Sequence, residues 1–308
     1  MSVKILALGD SWFHYPNGLN IDGQFVGDTN GVGNILNHLV EMYKLPLYYR
    51  EETLDEMFDS LGELVVSQDD ALGKCGEELM VMVYGYHRNN PGKKIIQRTW
   101  LDLLIDRIDR YKEESDTFII LLSGGGNDIA DKNLFDFLNN VNDPSGPVKE
   151  QAIEKAIEVD IKAAYNCMIA RVCQQYPELN FHFIVQGYSW PPVNGRGLYD
   201  LDKTLLQKLL HDRSPGPWLS PAFNAMQIPR PLAEQIIGDF IDRFNEMLIS
   251  LNCESGNGFI HYVDLRDITN RLNREQGWCN ELHFNRNSFL VAAARIYEVI
   301  SPLLNVPS

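Results

Sequence analysis

The residues Val3-Lys4-Ile5-Leu6-Ala7-Leu8-Gly9-Asp10-Ser11 join the first apolar run of the chain to a short polar turn. An apolar run of this length, bounded by turn residues, predicts a buried strand. Ligands of open α/β sheets bind at the carboxyl ends of the strands, which is where Ser11 would lie. A sharp strand-to-helix turn can also present a serine hydroxyl to a substrate, whereas a Gly-Asp-Ser turn alone is ordinary loop chemistry. The stretch therefore indicates an α/β fold and makes Ser11 a candidate nucleophile.

Apolar runs alternate with helical patterns along the rest of the chain. Further strands are predicted at 117–122, 181–186 and 259–263, with a weaker fifth candidate at 45–49. Helices are predicted from apolar spacing at 33–43, 53–64, 95–114, 148–176, 231–251 and 287–302. This alternation implies right-handed crossovers and a mostly parallel sheet that is covered on both faces. We expect one three-layer α/β/α domain over residues 1–308, with a mostly parallel five-stranded sheet in a flavodoxin-like arrangement.

Three stretches do not follow the alternation of strands and helices, the first of them a loop rich in Gly, Asn and Asp that is predicted at 17–34, after Ser11. Residues 65–94 carry mixed polar signals, and residues 187–230 contain many of the prolines together with several aromatic side chains. Long loops in a compact domain are usually functional or disordered. We expect long loops or insertions at 65–94 and 187–230, the latter ordered by its aromatic residues.

Charge and composition limit the classes of partner. The 308 residues carry a formal net charge of −15, which argues against nucleic acid and anionic membrane surfaces as partners. Neither a secretory signal nor an apolar run of membrane-spanning length is predicted. The five cysteines are an odd number without the spacing of metal ligands, so we expect reduced thiols in a cytoplasmic protein. The sequence makes no prediction of the oligomeric state.

Two further segments carry candidate functional residues. The predicted strand 117–122 ends in Ser123-Gly124-Gly125-Gly126-Asn127-Asp128, whose glycines would let a ligand approach the backbone closely. Phosphate binding is one interpretation of this turn, but the Walker lysine and the dinucleotide glycine spacing are missing. Asn127 would offer an amide donor for an oxyanion at the same sheet edge as Ser11. His283 lies just before the last predicted helix, either as a catalytic base or as an ordinary core or surface residue.

Taken together, three short blocks resemble the SGNH (GDSL-type) family of serine hydrolases. Gly9-Asp10-Ser11 looks like the nucleophile block, Gly125-Gly126-Asn127-Asp128 like the Gly-x-Asn-Asp block, and Glu281-Leu282-His283 like the block that supplies the base. They stand in the family's order and span almost the whole chain. The resemblance implies an esterase without cofactor or metal, acting on a small acyl ester or an acylated carbohydrate. It also implies Ser11 as nucleophile, His283 as general base, and an oxyanion hole that includes the Ser11 backbone N–H and the Asn127 side chain.

The sequence departs from the family pattern three residues before the histidine. The family usually has an aspartate there to orient the imidazole, and this chain has Asn280. An asparagine can accept a hydrogen bond from the ring through Oδ1, but it carries no charge to stabilise an imidazolium. Three readings stay open: Asn280 or a backbone carbonyl orients His283, a nearby acid (Glu281, Asp264 or Asp267) does so, or activity has been lost. In the last case the fold would serve as a binding module for an acylated or carbohydrate ligand.

A second departure concerns the oxyanion hole, where the family uses the backbone N–H of a glycine. The matching position here is Glu51, whose backbone N–H can serve if its φ is negative and its side chain points away from the oxyanion. Alternatively, Glu51 and Glu52 only begin the helix predicted at 53–64, where acidic residues suit the helix dipole. Tyr188 and Trp190 follow the strand 181–186 at the same sheet edge. Aromatic walls suit acyl and sugar pockets alike, so both residues are candidates for substrate binding, with simple loop packing as the alternative.

Overall fold

The computed structural model of the chain describes residues 3–14, 19–21, 24–26, 34–44, 71–73, 76–197, 216–251 and 258–304. Its centre is a five-stranded parallel sheet of β1 (Val3–Gly9), β4 (Ala71–Gly73), β5 (Thr117–Leu122), β6 (Asn180–Gln186) and β7 (Gly258–Val263), in the order β4-β1-β5-β6-β7. A separate antiparallel pair consists of β2 (Leu19–Ile21) and β3 (Gln24–Val26). The predicted three-layer α/β/α fold with a five-stranded sheet is confirmed, and every pairing within that sheet is parallel.

The fifth strand of the sheet is Ala71–Gly73, at the edge beside β1. It lies within the range 65–94, for which we expected a loop or an insertion, while the candidate strand at 45–49 lies outside the described residues. The strand ends at Gly73, whose φ is +122°. A Cβ atom there would lie 1.9 Å from the carbonyl oxygen of Gly9, so only glycine allows the two backbones to approach so closely.

Helices cover both faces of this sheet. Those in the described residues are α1 (Ser11–His14), α2 (Ile35–Tyr43), α3 (Leu79–Tyr84), α4 (Trp100–Tyr111), α5 (Glu150–Glu154), α6 (Lys162–Gln175), α7 (Ser220–Ala225), α8 (Arg230–Ile249) and α9 (Arg286–Leu304). A π-helix at Lys155–Ile161 joins α5 to α6. Helices α2 and α9 pack together on one face, and α3, α4, α6 and α8 belong to the other. Right-handed crossovers explain this division, because the chain reverses its direction across the sheet after β4.

Helix α4 begins later than its apolar pattern predicts, at Trp100 rather than near residue 95. Thr99 caps it: the Thr99 Oγ1 accepts the Asp102 backbone N–H at 3.1 Å, and the Asp102 carboxylate accepts the Thr99 backbone N–H at 2.8 Å. This reciprocal capping box satisfies backbone donors that a helix end leaves unpaired. It therefore determines where the helix starts. The predicted helix at 53–64 lies outside the described residues.

The strand order places a crevice between β1 and β5. The chain leaves β1 towards one edge of the sheet and then returns to the other side of β1 with β5. At such a reversal the connections leave the strands in opposite directions, which opens a ligand-sized gap outside their carboxyl ends. Ser11 follows β1 and the glycine turn follows β5, so both border this gap. Extension of one domain over all 308 residues stays a prediction.

Candidate active site

Ser11 and His283 meet at the carboxyl edge of the sheet. Ser11 is the first residue of α1, and His283 lies in the loop that leads into α9. The Ser11 Oγ and the His283 Nε2 are 2.8 Å apart, although 272 residues separate them in the chain. Both side chains are buried. The structure thus brings together the two residues that the sequence marked as nucleophile and base.

Asn280 holds the other side of the His283 ring. Its Oδ1 lies 3.0 Å from the His283 Nδ1, and it also accepts the backbone N–H groups of Leu282 and His283, at 3.0 and 2.9 Å. Because backbone N–H groups can only donate, they require the oxygen of the amide, not its nitrogen, on this side. The ring must then donate its Nδ1–H to that oxygen, which leaves Nε2 unprotonated. In this tautomer Nε2 can accept the Ser11 hydroxyl proton.

The three nearby acids proposed as substitutes are engaged elsewhere. The buried Glu281 carboxylate accepts the backbone N–H groups of Gly195 at 2.9 Å and Leu219 at 2.7 Å, and it also accepts the Ser220 hydroxyl. Asp264 pairs with Arg266, and Asp267 pairs with Arg295. Glu281 therefore fixes the two loop segments around 195 and 219, and Asn280 is the predicted residue that reaches His283.

Burial controls the charge of His283. The imidazole is shielded from solvent, and the Trp218 ring packs edge-on against it with ring centroids 5.6 Å apart. Loss of hydration disfavours the charged form and lowers the pKa of His283 to about 3. The ring is accordingly neutral around pH 7, as a general base must be before reaction.

Asp10 anchors the turn that carries Ser11. One of its carboxylate oxygens accepts the Trp12 backbone N–H at 3.1 Å and the Ser123 hydroxyl at 2.9 Å. The other oxygen accepts the Tyr188 hydroxyl at 2.7 Å. These contacts tie the ends of β1, β5 and β6 to one carboxylate. The hydroxyl of Tyr188, a predicted substrate-binding residue, thus serves the nucleophile turn.

The amide of Asn127 is held next to this turn. Its Nδ2 donates to the Glu77 carbonyl at 3.0 Å, which uses one of its two hydrogens and leaves the other for a ligand. The position of Glu77 depends in turn on Asp128, whose carboxylate accepts the Leu79 and Met80 backbone N–H groups at 2.6 and 3.2 Å. Burial and the nearby Glu78 charge raise the pKa of Asp128 to about 8.

Aromatic packing accounts for the glycines that precede Asn127. Gly125 has a φ of +102°, and a Cβ atom on it would lie 2.7 Å from the Phe244 ring. A Cβ atom on Gly126 would lie 3.2 Å from the Tyr188 ring. The turn is therefore shaped by two buried side chains, and this packing explains its composition without a bound phosphate.

An apolar cavity of about 70 Å3 opens beside Ser11 and Asn127. Aliphatic and aromatic side chains make up most of its wall, including Tyr188 and one face of helix α8: Ile237, Phe240, Ile241 and Phe244. Sequence reasoning did not assign this face to the site, although its i, i+3, i+4, i+7 spacing is visible in the chain. That spacing identifies a buried face but not what the face is buried against.

Trp190, the other predicted substrate-binding residue, lies away from this cavity. Trp190 lines a separate polar groove, where its Nε1 donates to Asp242 at 3.0 Å and its ring lies 4.9 Å from the Arg271 guanidinium carbon. Glu51 is outside the described residues. Within those residues we find no group of three or more His, Cys, Asp or Glu side chains that could hold a metal ion. In that same part of the chain, no helix combines the length and apolar character needed to cross a bilayer.

Comparison with known proteins gives distant structural likeness only. No family model matches the chain, and no curated protein matches it. The chain is similar to a solved structure described as a platelet activating factor from Streptococcus pneumonia, with 11% identity, a TM-score of 0.37, and coverage of 99% of this chain and 85% of the other. It is also similar to Axe2, an acetylxylan esterase from Geobacillus stearothermophilus, with 9% identity, a TM-score of 0.33, and coverage of 96% and 93%.

Likeness at this level carries no argument about chemistry, so the chemical reading depends on the site itself. The Ser11 hydroxyl and the oriented Asn127 amide line an apolar cavity, and the neutral imidazole of His283 contacts that hydroxyl. This combination of nucleophile, base and amide donor is suited to acyl transfer.

Proposed function

We propose that the protein hydrolyses carboxylic esters through an acyl-enzyme on Ser11, with His283 as general base. The observation that carries the proposal is the hydrogen-bonded series from Ser11 Oγ to His283 Nε2, at 2.8 Å, and from His283 Nδ1 to Asn280 Oδ1, at 3.0 Å. The base is then within hydrogen-bonding reach of the nucleophile on one side of its ring and of the orienting acceptor on the other.

In the first half-reaction the Ser11 Oγ attacks the ester carbonyl carbon while His283 Nε2 takes the hydroxyl proton. Negative charge develops on the former carbonyl oxygen. The Asn127 amide and the Ser11 backbone N–H are the donors proposed to stabilise it, since the first N–H of a helical turn has no partner within the helix. The carbon–oxygen bond to the alcohol then breaks, and His283 returns its proton to the departing alcohol.

The second half-reaction releases the acyl group to water. His283 takes a proton from a water molecule, and the resulting hydroxide attacks the acyl carbon. The bond to Ser11 Oγ breaks and the proton returns to that oxygen, so the products are a carboxylic acid and the free enzyme. The Glu51 backbone N–H stays a predicted third donor to the oxyanion.

Asn280 explains how this mechanism can proceed without an aspartate. Changing the triad aspartate of trypsin to asparagine costs about 10⁴ in turnover, because the histidine takes the wrong tautomer. Here two backbone N–H groups orient the Asn280 oxygen towards the ring, which favours the productive tautomer. The remaining deficit is electrostatic, because a neutral amide stabilises the imidazolium less than a carboxylate does.

Labelling with a fluorophosphonate probe tests this proposal directly. We expect the native protein to be labelled, the Ser11→Ala variant to show no labelling, and the His283→Ala variant to react much more slowly. Ser145→Ala, at an exposed serine, is the matched control and should label like the native protein.

An unlabelled native protein that also fails to hydrolyse p-nitrophenyl esters would contradict the proposal. That result would favour the alternative function, a binding module for an acylated or carbohydrate ligand. Equal labelling of native protein and Ser11→Ala would contradict the assignment of the nucleophile.

A further inference from the structure

We infer that the cavity beside Ser11 binds the acyl chain of the ester, and that helix α8 limits this chain to a short apolar group of about four to six carbons. The inference rests on the proposed function and adds the substrate class to it. It is drawn from the chemistry of the cavity wall, the rigidity of the α8 face, the size of the cavity and its position relative to Ser11.

Apart from the reacting Ser11 hydroxyl and the Asn127 amide, the described residues of the wall offer a ligand no unsatisfied polar side chain. Asp10 and Ser189 reach the cavity, but the Asp10 carboxylate already accepts three hydrogen bonds. The Ser189 hydroxyl donates to the Arg266 carbonyl and contacts the Thr269 hydroxyl, each at 2.8 Å. A sugar placed here would lose the hydration of its hydroxyls without replacement, which is costly. Methylene groups gain from burial in the same surroundings.

Helix α8 forms a wall that is supported from behind. The Phe244 ring packs against Tyr188 with centroids 5.2 Å apart, and Gly125 leaves the space that this ring needs. Phe240 packs edge-on against Phe137 at 6.4 Å. Close-packed aromatic side chains of this kind do not yield easily to a longer ligand. The α8 face of the wall therefore limits the length of the acyl chain that can bind.

The size of the cavity limits the length of the chain. A water molecule needs roughly 10–15 Å3 of such space, so the 70 Å3 present corresponds to about five water positions. With one carbon at each position, this volume holds an acyl group of about four to six carbons. A single methyl group would leave most of the space empty, and a long fatty-acyl chain would not fit.

The cavity is assigned to the acyl group of the ester because this group stays bound longer than the alcohol. The alcohol must leave after the first half-reaction, whereas the acyl group stays on Ser11 until water releases it. An apolar recess walled by buried side chains suits the group that remains bound through both steps. The alcohol is then directed away from α8.

A matched pair of isoleucines on α8 tests this inference. Ile237 lines the cavity and Ile236 does not, yet they are adjacent and 4% and 5% exposed. We would measure kcat/KM for p-nitrophenyl esters from acetate to decanoate. For the native protein, kcat/KM should rise about fourfold per methylene from acetate to an optimum between butyrate and hexanoate, and then fall. Ile237→Ala should move the optimum to longer chains, and Ile236→Ala should leave it in place.

The opposite change blocks the cavity. Ala130 lines it, and Ala130→Leu should move the optimum to acetate and lower kcat/KM for hexanoate at least tenfold.

Butyrate esters of methanol, butanol and hexanol provide the alcohol series, whose relative rates should be the same in native protein and Ile237→Ala. Hexanamide, which is not cleaved, should quench the fluorescence of Ser11→Ala, because Trp12 and Trp278 line the cavity. It should not quench that of Ser11→Ala/Ala130→Leu.

Two results would overturn the inference: an unchanged acyl profile in both Ile237→Ala and Ala130→Leu, or a shift of the alcohol series in Ile237→Ala. A native optimum at acetate or at decanoate would overturn the predicted chain length. Failure of the proposed function gives different results: either no ester hydrolysis by the native protein, or hydrolysis that is unaffected by Ser11→Ala. Binding of hexanamide to Ser11→Ala, and its loss in Ser11→Ala/Ala130→Leu, still tests the cavity in both cases.

Discussion

Replacing Asn280 by aspartate tests how much a negative charge beside the ring stabilises the His283 imidazolium. The Asn280 oxygen already accepts two backbone N–H groups and faces the His283 Nδ1 at 3.0 Å. A carboxylate at the same position would keep these contacts and the tautomer they favour. Asn280→Asp therefore adds a negative charge beside the imidazole without changing the arrangement of the site.

The expected shift can be estimated from the burial of the ring. Desolvation lowers the pKa of His283 to about 3 in the native protein. An opposite charge in contact typically raises such a pKa by about 1–3 units, so the variant should titrate at roughly pH 4–6. Each unit is worth about 1.4 kcal/mol in favour of the imidazolium. The proton is only partly transferred in the transition state, so we expect kcat on the plateau to rise about tenfold, far short of the factor of about 10⁴ seen where the tautomer also changes.

The assay is the pH dependence of kcat/KM for p-nitrophenyl butyrate between pH 3.5 and 8. The native profile should be flat down to about pH 4, whereas that of Asn280→Asp should fall at a higher pH, because a base with a raised pKa is protonated earlier. Asn285→Asp makes the same chemical change at a residue that caps α9 instead of touching the ring, and it should keep the native profile. A native profile that already falls near pH 6.5, or identical profiles in native protein and Asn280→Asp, would refute this reasoning.

Three further substitutions test the neighbouring groups. Asn127→Ala should lower kcat by about 10²–10³ while the Tm falls only slightly, through loss of the hydrogen bond to the Glu77 carbonyl; native turnover would remove Asn127 from the oxyanion hole. Tyr188→Phe deprives the buried Asp10 carboxylate of one donor, which should cost about 1–3 kcal/mol in urea unfolding; an unchanged midpoint would show that Asp10 does not need this bond. The third substitution, His283→Gln, concerns acid stability. The unfolded chain binds a proton at His283 below about pH 6.5, whereas the folded chain does so only near pH 3. Between these values the free energy of unfolding of the native protein should therefore fall by up to about 1.4 kcal/mol for each pH unit by which the pH decreases. His283→Gln should remove this contribution, and equal pH slopes for the two proteins would contradict it.

Strands were predictable where burial is continuous. β1, β5 and β6 begin and end within one residue of their apolar runs, because a strand covered on both faces is largely apolar. The edge strand β7 also matches its apolar run within one residue, although Phe259 is exposed and only Val263 is buried. The three residues of β4 are too few to produce a pattern of their own. Their place in the sheet depends on the close approach of Gly73 to Gly9, which is a contact between distant parts of the chain.

The candidate site was predictable to a different extent at each residue. Ser11, Asn127 and His283 follow strands or precede the last helix, so parallel strands bring them to one edge. The position of Trp190 was not predictable, because its ring is held by Asp242 and Arg271 in a separate groove. The role of Glu281 in holding the loop segments around 195 and 219 was not predictable from the sequence either. Its partners are backbone N–H groups, which leave no trace in the identity of the residues that carry them.

The separation of 272 residues between Ser11 and His283 has a consequence for the order of events during folding. The segment between them must be synthesised and packed before the serine acquires its base, because His283 is positioned by the loop that precedes α9. Contacts between such distant residues form slowly, since a long loop must close first. Recovery of esterase activity after dilution from denaturant should therefore lag behind the recovery of helical circular dichroism. The proposed activity would then measure the completion of folding, because each active molecule is one in which the loop that carries His283 has docked.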